Sequence, residues 1–334
     1  VRVARLHGIR DVRIGEEPVP LVAPGDSLVR VTAVGLCGSD LHWFGEGAIG
    51  DAYLAQPLVL GHEFAGIVES GPLAGRRVAV DPAIPCLDCP QCHEGNHNLC
   101  VRIRFAGHGR QDGGLREFLS WPDRALHPLP DRISDAGGAM LEPLGVALHT
   151  FDLGHARIAA SAAVLGCGPI GLLLVQVARA AGISPVIAVD PLPHRRAAAQ
   201  AFGADAVLTP DEAHAVDPGD LGVAGGVDAA FEAAGTDDAV RAALELARPG
   251  ARVVLAGIPD DDRTSFPASL ARRKGATLVL VRRMKDVYPR AIRLVERGLV
   301  DVESVVTQRF LLDQAPQAFA TATTRQGLKT LITP

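Results

Sequence analysis

Chemistry is most concentrated where Cys86, Cys89, Cys92 and Cys100 place four thiols within fifteen residues, among Pro85, Pro90, Gly95 and Asn96. A turn-rich loop of that spacing lets four sulfurs converge tetrahedrally, as a structural zinc ion requires. Two local disulfides, an iron–sulfur cluster or chance buried thiols are the other readings. The run lacks the Cys-Pro finish of a cluster motif, so zinc is expected. A closed four-thiolate site keeps no open position and does no chemistry.

A second donor set is dispersed. Cys37-Gly38-Ser39-Asp40-Leu41-His42, Gly61-His62-Glu63 and Glu142-Pro143 offer a thiolate, an imidazole and carboxylates from separate loops. Such a set binds zinc and leaves a position open for water or substrate. Glu63 directly follows His62 between apolar segments, where a carboxylate buried without a cation costs several kcal/mol.

The third constellation is Val164-Leu165-Gly166-Cys167-Gly168-Pro169-Ile170-Gly171, a G-x-G-x-x-G between a short apolar run and a helix-like segment. Gly166 permits the tight turn, Gly168 lets a pyrophosphate approach, and Gly171 allows close helix–sheet packing. The N–H groups opening the following helix-like segment, Leu172 to Ala181, then face the phosphates, aided by its dipole. Ser184 to Asp190 reads as the next strand, and its terminal acid lies 24 residues beyond Gly166, near the spacing used to hold ribose hydroxyls. Asp190 favours NAD over NADP, because a 2′-phosphate meets its charge, although Arg195 and Arg196 stand nearby. The turns Ala233-Ala234-Gly235 and Ala256-Gly257-Ile258 end later strands on the side where cofactor contacts gather. Cys167, flanked by glycines, reads as a packing residue.

Two kinds of element must position these groups. Up to about Leu129 the chain shows short strands (Ser27–Val34, Phe64–Glu69, Arg77–Val80) between Gly/Pro turns, a β-rich, barrel-like pattern. Val1 to Leu6 alternates like an edge strand. From Leu141 strands and helices alternate, with six strands expected at 162–165, 186–190, 206–208, 227–232, 251–256 and 277–281. That is the pattern of a doubly wound parallel sheet. Helices are expected over His194–Phe202 and Asp238–Arg248, the latter closed by Pro249-Gly250. An amphipathic helix (Tyr288–Arg297) and a strand (Arg309–Leu312) follow.

With 334 residues the chain can form two ordinary domains. A net charge of -5 and a pI near 6.1 leave no basic footprint, so no nucleic-acid partner is expected. No apolar run reaches membrane-spanning length and no signal peptide is evident, so a cytoplasmic protein without membrane contact is expected.

In their order and spacing, Cys37-Gly38-Ser39-Asp40, Gly61-His62-Glu63, the four-cysteine lobe and the glycine turn resemble the zinc-dependent medium-chain dehydrogenase/reductase family across essentially the whole chain. The resemblance implies an α/β protein with a GroES-like β-rich catalytic domain (1–145), a Rossmann six-stranded domain (146–283) and a C-terminal segment (284–334) returning to the catalytic domain. It implies two zinc ions per chain, the catalytic one on Cys37 and His62. Glu63 is then a ligand or a close neighbour, and Glu142 binds directly or through water. Glu142 stands where ethanol-type enzymes carry a second cysteine, which resembles the polyol (sorbitol, idonate, threonine-type) branch. Ser39 and then His42 would pass the substrate proton outward, and Ser39, Trp43, Phe105, Glu142 and Arg283 would meet the substrate, with Phe44 in the same apolar wall. Trp43 and Met284 depart from the sorbitol-type pattern, where a tyrosine and an aromatic are usual.

The expected activity is zinc- and NAD-dependent, reversible oxidation of a secondary alcohol in a polyol or sugar derivative to the ketone. A simple alcohol or an amino alcohol is the alternative substrate. A non-enzymatic redox sensor is the alternative class, disfavoured by the acidic pI. The last Rossmann strand, an apolar edge at 277–281, is expected to pair with its copy in a homodimer or homotetramer.

Overall fold

A computed structural model describes residues 1–334, which divide into two compact units. The first comprises Val1–Glu142, Tyr288–Arg297 and Val302–Pro334; the second comprises Pro143–Val287 and Gly298–Asp301. The chain passes from one to the other inside the helix Leu141–Gly154.

The first unit is built on a seven-stranded sheet. Asp26–Gly35 is its hub, pairing antiparallel with Glu63–Ser70, Phe118–Pro122 and the C-terminal Lys329–Thr333. Val29, Val31 and Val34 of that hub are buried beside Phe64, Trp121 and Phe319 in one core. Each such side chain contributes about 1.5–3 kcal/mol when fully buried. The strand Arg2–Gly8 differs from its reading as an edge, since Asp11–Glu16 and Leu58–Val59 flank it on both sides. Alternation reports a half-buried face, not the number of neighbours.

Tyr288 ties its helix into this unit: its hydroxyl donates to the Val80 carbonyl at 2.9 Å and its ring stacks on His127 at 4.4 Å. The amphipathic helix Tyr288–Glu296 thus has a buried anchor at its first residue.

In the second unit six parallel strands run in the order Ala206–Leu208, Val186–Val189, Ala162–Leu165, Val227–Glu232, Ala247–Leu255, Thr277–Leu280. The inner strands read as unbroken apolar runs because helices cover both faces. The order reverses between Ala162–Leu165 and Val227–Glu232, which opens a crevice at the carboxyl ends. One expected boundary moves. The helix Asp237–Leu246 stops before Ala247, and Ala247–Leu255 is already strand, with Arg248, Pro249 and Gly250 exposed along it. Ala247 pairs with Val227 and Arg252 with Ala229, so residues 248–251 bulge out of the register, and Arg248 reaches Asp228 of the neighbouring strand at 2.8 Å.

Candidate active site and metal centres

The dispersed donors meet in the first unit. Gly61, at φ 89°, turns the chain into Glu63–Ser70 and presents His62. A Cβ on Gly61 would press on Val34 and Leu115, so this tight approach requires glycine. The helix Gly38–Glu46 begins at Cys37, and Asp40 closes its first turn by accepting the Cys37 N–H at 2.9 Å. The same carboxylate accepts the Gly61 N–H at 3.2 Å and faces His62 Nδ1 at 3.5 Å. Asp40 therefore locks two separate loops and orients the imidazole, leaving Nε2 to point elsewhere. Ser39 Oγ lies 3.4 Å from that Nε2.

One donor atom from each of Cys37, His62 and Glu63 lies within 4.8 Å of the others, so the three can converge on one ion. All are zinc donors, and His62 and Glu63 are buried. Burial alone would lower the His62 pKa, but the facing Asp40 and Cys37 raise it well above the usual value. Glu142 begins the helix Leu141–Gly154. Burial pushes its carboxyl up to about 8, with Glu63 adding to the effect and His62 and Lys329 opposing it. A buried cluster with this much carboxylate character suits a divalent cation.

Lys329 is a partner the motif reading does not contain. Its Nζ forms an ion pair with Glu63 Oε2, with both side chains at 2% exposure or less. Burial works against its charge, yet Glu63 and Cys37 raise its pKa. Gly35 leaves room for the pair, because a Cβ there would overlap Glu63 Oε2 and touch Lys329.

Phe105 sets its ring 5.3 Å from His62, and Trp43, one helical turn beyond Ser39, meets His108 edge-on at 5.6 Å. Gly107 and Gly113 pack so closely on the Leu60-Gly61 backbone that side chains there would collide with it. The loop carrying Phe105 and His108 is thus fixed to the turn that presents His62. Phe44 faces Phe319 in the core at 5.1 Å. His42 places Nδ1 3.2 Å from Glu46 Oε1 on its own helix.

The four-cysteine lobe brings its sulfurs together as expected. Cys86 Sγ and Cys92 Sγ are 4.0 Å apart, and Cys89 Sγ and Cys92 Sγ 3.5 Å. Bonds of ~2.3 Å to a tetrahedral zinc imply about 3.8 Å between sulfurs, whereas a disulfide needs ~2.05 Å. Backbone N–H groups also converge on the sulfurs: Cys86 donates to Cys100 Sγ at 3.3 Å, and Asp88 and Val101 serve Cys86 and Cys89. The residues fit the ion.

In the second unit the glycines are sterically committed. Gly166 takes φ 95°, with Ala234 2.7 Å from where its Cβ would lie, and a Cβ on Gly171 would overlap the Gly166 carbonyl oxygen. Gly168 has open space except for the Arg195 guanidinium, as an approaching ligand requires. The helix Pro169–Ala180, carrying Ile170, follows at once. Asp190 is buried, accepts the Cys167 and Leu192 N–H groups at 2.8 Å each, and stands 4.0 Å from Arg195. Gly235 and Gly257 bring the turns of Ala233 and Ile258 into backbone contact. Glu232, another residue absent from the motif reading, accepts the N–H groups of Ala234 and Gly235 at 2.7 and 2.6 Å and shapes that turn. Burial pushes the Cys167 thiol up to about 12, consistent with packing. Arg283, in this unit, is half-buried at φ 56°.

Comparison with known proteins adds to this geometry. Residues 23–131 match the alcohol dehydrogenase GroES-like domain, and residues 169–297 match the zinc-binding dehydrogenase family. The probable D-xylulose reductase A of Arthroderma otae is 36% identical over 340 residues, covering 98% of this chain and 95% of that protein. A zinc-binding dehydrogenase of Sinorhizobium meliloti, solved with NADP, is 31% identical with a TM-score of 0.91, covering 100% of this chain and 99% of that one. The L-idonate 5-dehydrogenase of Escherichia coli is 26% identical with a TM-score of 0.92, covering 100% and 98%. With both domains matched and its donor sets assembled, the chain belongs to the zinc-dependent medium-chain dehydrogenase/reductase family, oxidoreductases that work with zinc and a nicotinamide cofactor.

Proposed function

We propose that the protein catalyses reversible oxidation of a secondary alcohol in a polyol or sugar derivative to the ketone, with NAD as hydride acceptor. The observation that carries this reading is the convergence of Cys37, His62 and Glu63, with Glu142, a buried carboxylate and not a second thiolate, as the charged neighbour of His62 and Glu63. Relatives named for D-xylulose and L-idonate, both polyhydroxylated, support the substrate class. Cys37, His62 and carboxylate from Glu63 or Glu142 hold the catalytic zinc, and Cys86, Cys89, Cys92 and Cys100 hold a structural one. When bound, zinc supplies Lewis acidity toward the substrate oxygen and nicotinamide accepts the hydride.

The chain's own residues do the rest. Asp40 fixes the His62 tautomer and orientation. Ser39 Oγ, beside His62, accepts the hydroxyl proton and passes it outward, with His42 as the next station. Phe105 and Trp43 exclude water on one side, and Glu142 and Arg283 offer polar contacts to further hydroxyls. The glycine turn and the helix start at Pro169 take the pyrophosphate, and Asp190 takes the adenosine ribose and disfavours a 2′-phosphate. Thr277–Leu280 is the sheet edge, with Leu280 77% exposed, and pairs with its copy in a dimer or tetramer.

An NADH-absorbance screen over four- to seven-carbon polyols, aldonates and amino alcohols tests the reading. Turnover confined to amino or simple alcohols would refute the substrate class. Metal analysis should find two zinc ions per chain, one lost together with activity in Cys37→Ser; full turnover in that variant would refute the catalytic assignment.

A further inference from the structure

Four thiolates around a divalent ion leave two negative charges uncompensated, and such charge favours protonation and loss of the metal. In the lobe the sulfurs are not equivalent. Cys89, Cys92 and Cys100 are buried, whereas Cys86 is only half-buried and is where water and chelators first reach the centre. At that sulfur stands Arg102. Its Nη2 lies 3.4 Å from Cys86 Sγ and 2.9 Å from Asp88 Oδ2. Asp88 follows Cys86 by two residues and supplies a backbone N–H to the same sulfur, so its side chain holds the guanidinium where its own main chain holds the thiolate.

The arrangement is selective. Arg102 and Asp88 are 57% and 80% exposed, so as a plain surface ion pair they would contribute little to stability. The contact to sulfur gives the pair a consequence out of proportion to that, since groups bonded to metal ligands tune affinity far more than they tune folding. Arg suits the task better than Lys, because one planar fork serves a carboxylate and a sulfur together and stays charged.

We propose that Arg102 is a positioning residue of the four-thiolate centre: braced by Asp88, its guanidinium holds and shields Cys86 and sets how slowly zinc leaves the lobe. This rests on the reading of the cluster as a zinc site. The test uses the purified holoenzyme and begins with its zinc content and the reactivity of its thiols toward iodoacetamide. Release of zinc to a chromophoric chelator is then timed in the parent, Arg102→Gln and Asp88→Asn. Arg102→Gln should release the structural zinc about 10-fold faster or more, and Cys86 should become the first thiol alkylated. Asp88→Asn, which keeps the guanidinium and the backbone donor, should show a smaller acceleration. Cobalt-substituted Arg102→Gln should show its sulfur-to-metal charge-transfer band at lower energy, a change that loss of a surface ion pair alone does not produce. A parent without zinc in the lobe defeats the zinc reading. A zinc-loaded parent whose release rate and alkylation order are unchanged in Arg102→Gln defeats the role of Arg102, and an unchanged release rate in Asp88→Asn defeats the brace. Because Arg102 is exposed, the variant is expected to fold.

Discussion

Replacing Lys329 by Met should be among the most damaging single changes in the first unit. The substitution keeps the side-chain length and removes the charge, so it strands the Glu63 carboxylate in a site where both partners are at 2% exposure or less. Breaking a buried pair by removing one partner costs about 3–5 kcal/mol. For a unit of this size that corresponds to a fall in melting temperature of roughly 6–20 °C. The cost lies mainly in the orphaned charge, not in the lost attraction, so Lys329→Met combined with Glu63→Gln should recover most of the loss. Gly35→Ala should act on the same pair from the other side, because its Cβ would overlap Glu63 Oε2. Differential scanning fluorimetry of the three variants and the double variant, each with measured zinc content, decides the matter. A Lys329→Met loss below about 1 kcal/mol, typical of an exposed pair, or a double variant as unstable as the single one, would refute the reasoning.

Asp190→Ala should shift cofactor preference toward NADP by about 10-fold or more, since juxtaposed like charges cost several kcal/mol; unchanged kcat/KM ratios for the two cofactors would count against its role. Gly171→Ala should weaken NADH binding by at least about 10-fold, or about 1.4 kcal/mol, because its Cβ would overlap the Gly166 carbonyl oxygen; zinc content, set in the other unit, should not change. His214 is clamped between Glu245 and Asp238. Its bond to Glu245 outweighs desolvation and, with Asp238, raises its pKa. The resulting stability is fully present below the unfolded value of about 6.5 and is lost as pH rises through the folded pKa. The stability gap between the parent and His214→Gln, followed by thermal unfolding, should therefore narrow as pH rises above about 6.5, by at most about 1 kcal/mol after solvent screening; a constant gap would exclude the clamp.

The features legible in the sequence are those whose parts are close together along it. The cysteine lobe needs only its own fifteen residues, and the glycine turn and Asp190 sit in one strand–helix–strand unit, so spacing carries their geometry. The six Rossmann strands were readable because parallel strands covered on both faces are unbroken apolar runs. Asp40 had a visible signal, a carboxylate three residues into a helix that starts at Cys37, but its second duty toward His62 and Gly61 exists only after the loops meet. Lys329 had none, because a lone lysine in Leu328-Lys329-Thr330 looks like a surface residue until sheet pairing lays it beside Glu63. The Pro249-Gly250 dipeptide marked an interruption correctly near a helix end, yet it lies in a bulge within a strand, because sheet pairing is already made at Ala247 and resumes at Arg252.

The pairing of Lys329–Thr333 with Asp26–Gly35 also fixes an order of events during synthesis. When residues 1–142 have been made, the hub strand lacks its neighbour and Glu63 lacks its cation. The second unit, 143–287 and 298–301, is translated before either arrives. A first unit that folded before then would have an open sheet edge and a Glu63 carboxylate without Lys329, a form prone to misassembly. The last residues of the sequence close the sheet and neutralise Glu63 in one step, so the same strand that completes the fold also completes the electrostatics of the site.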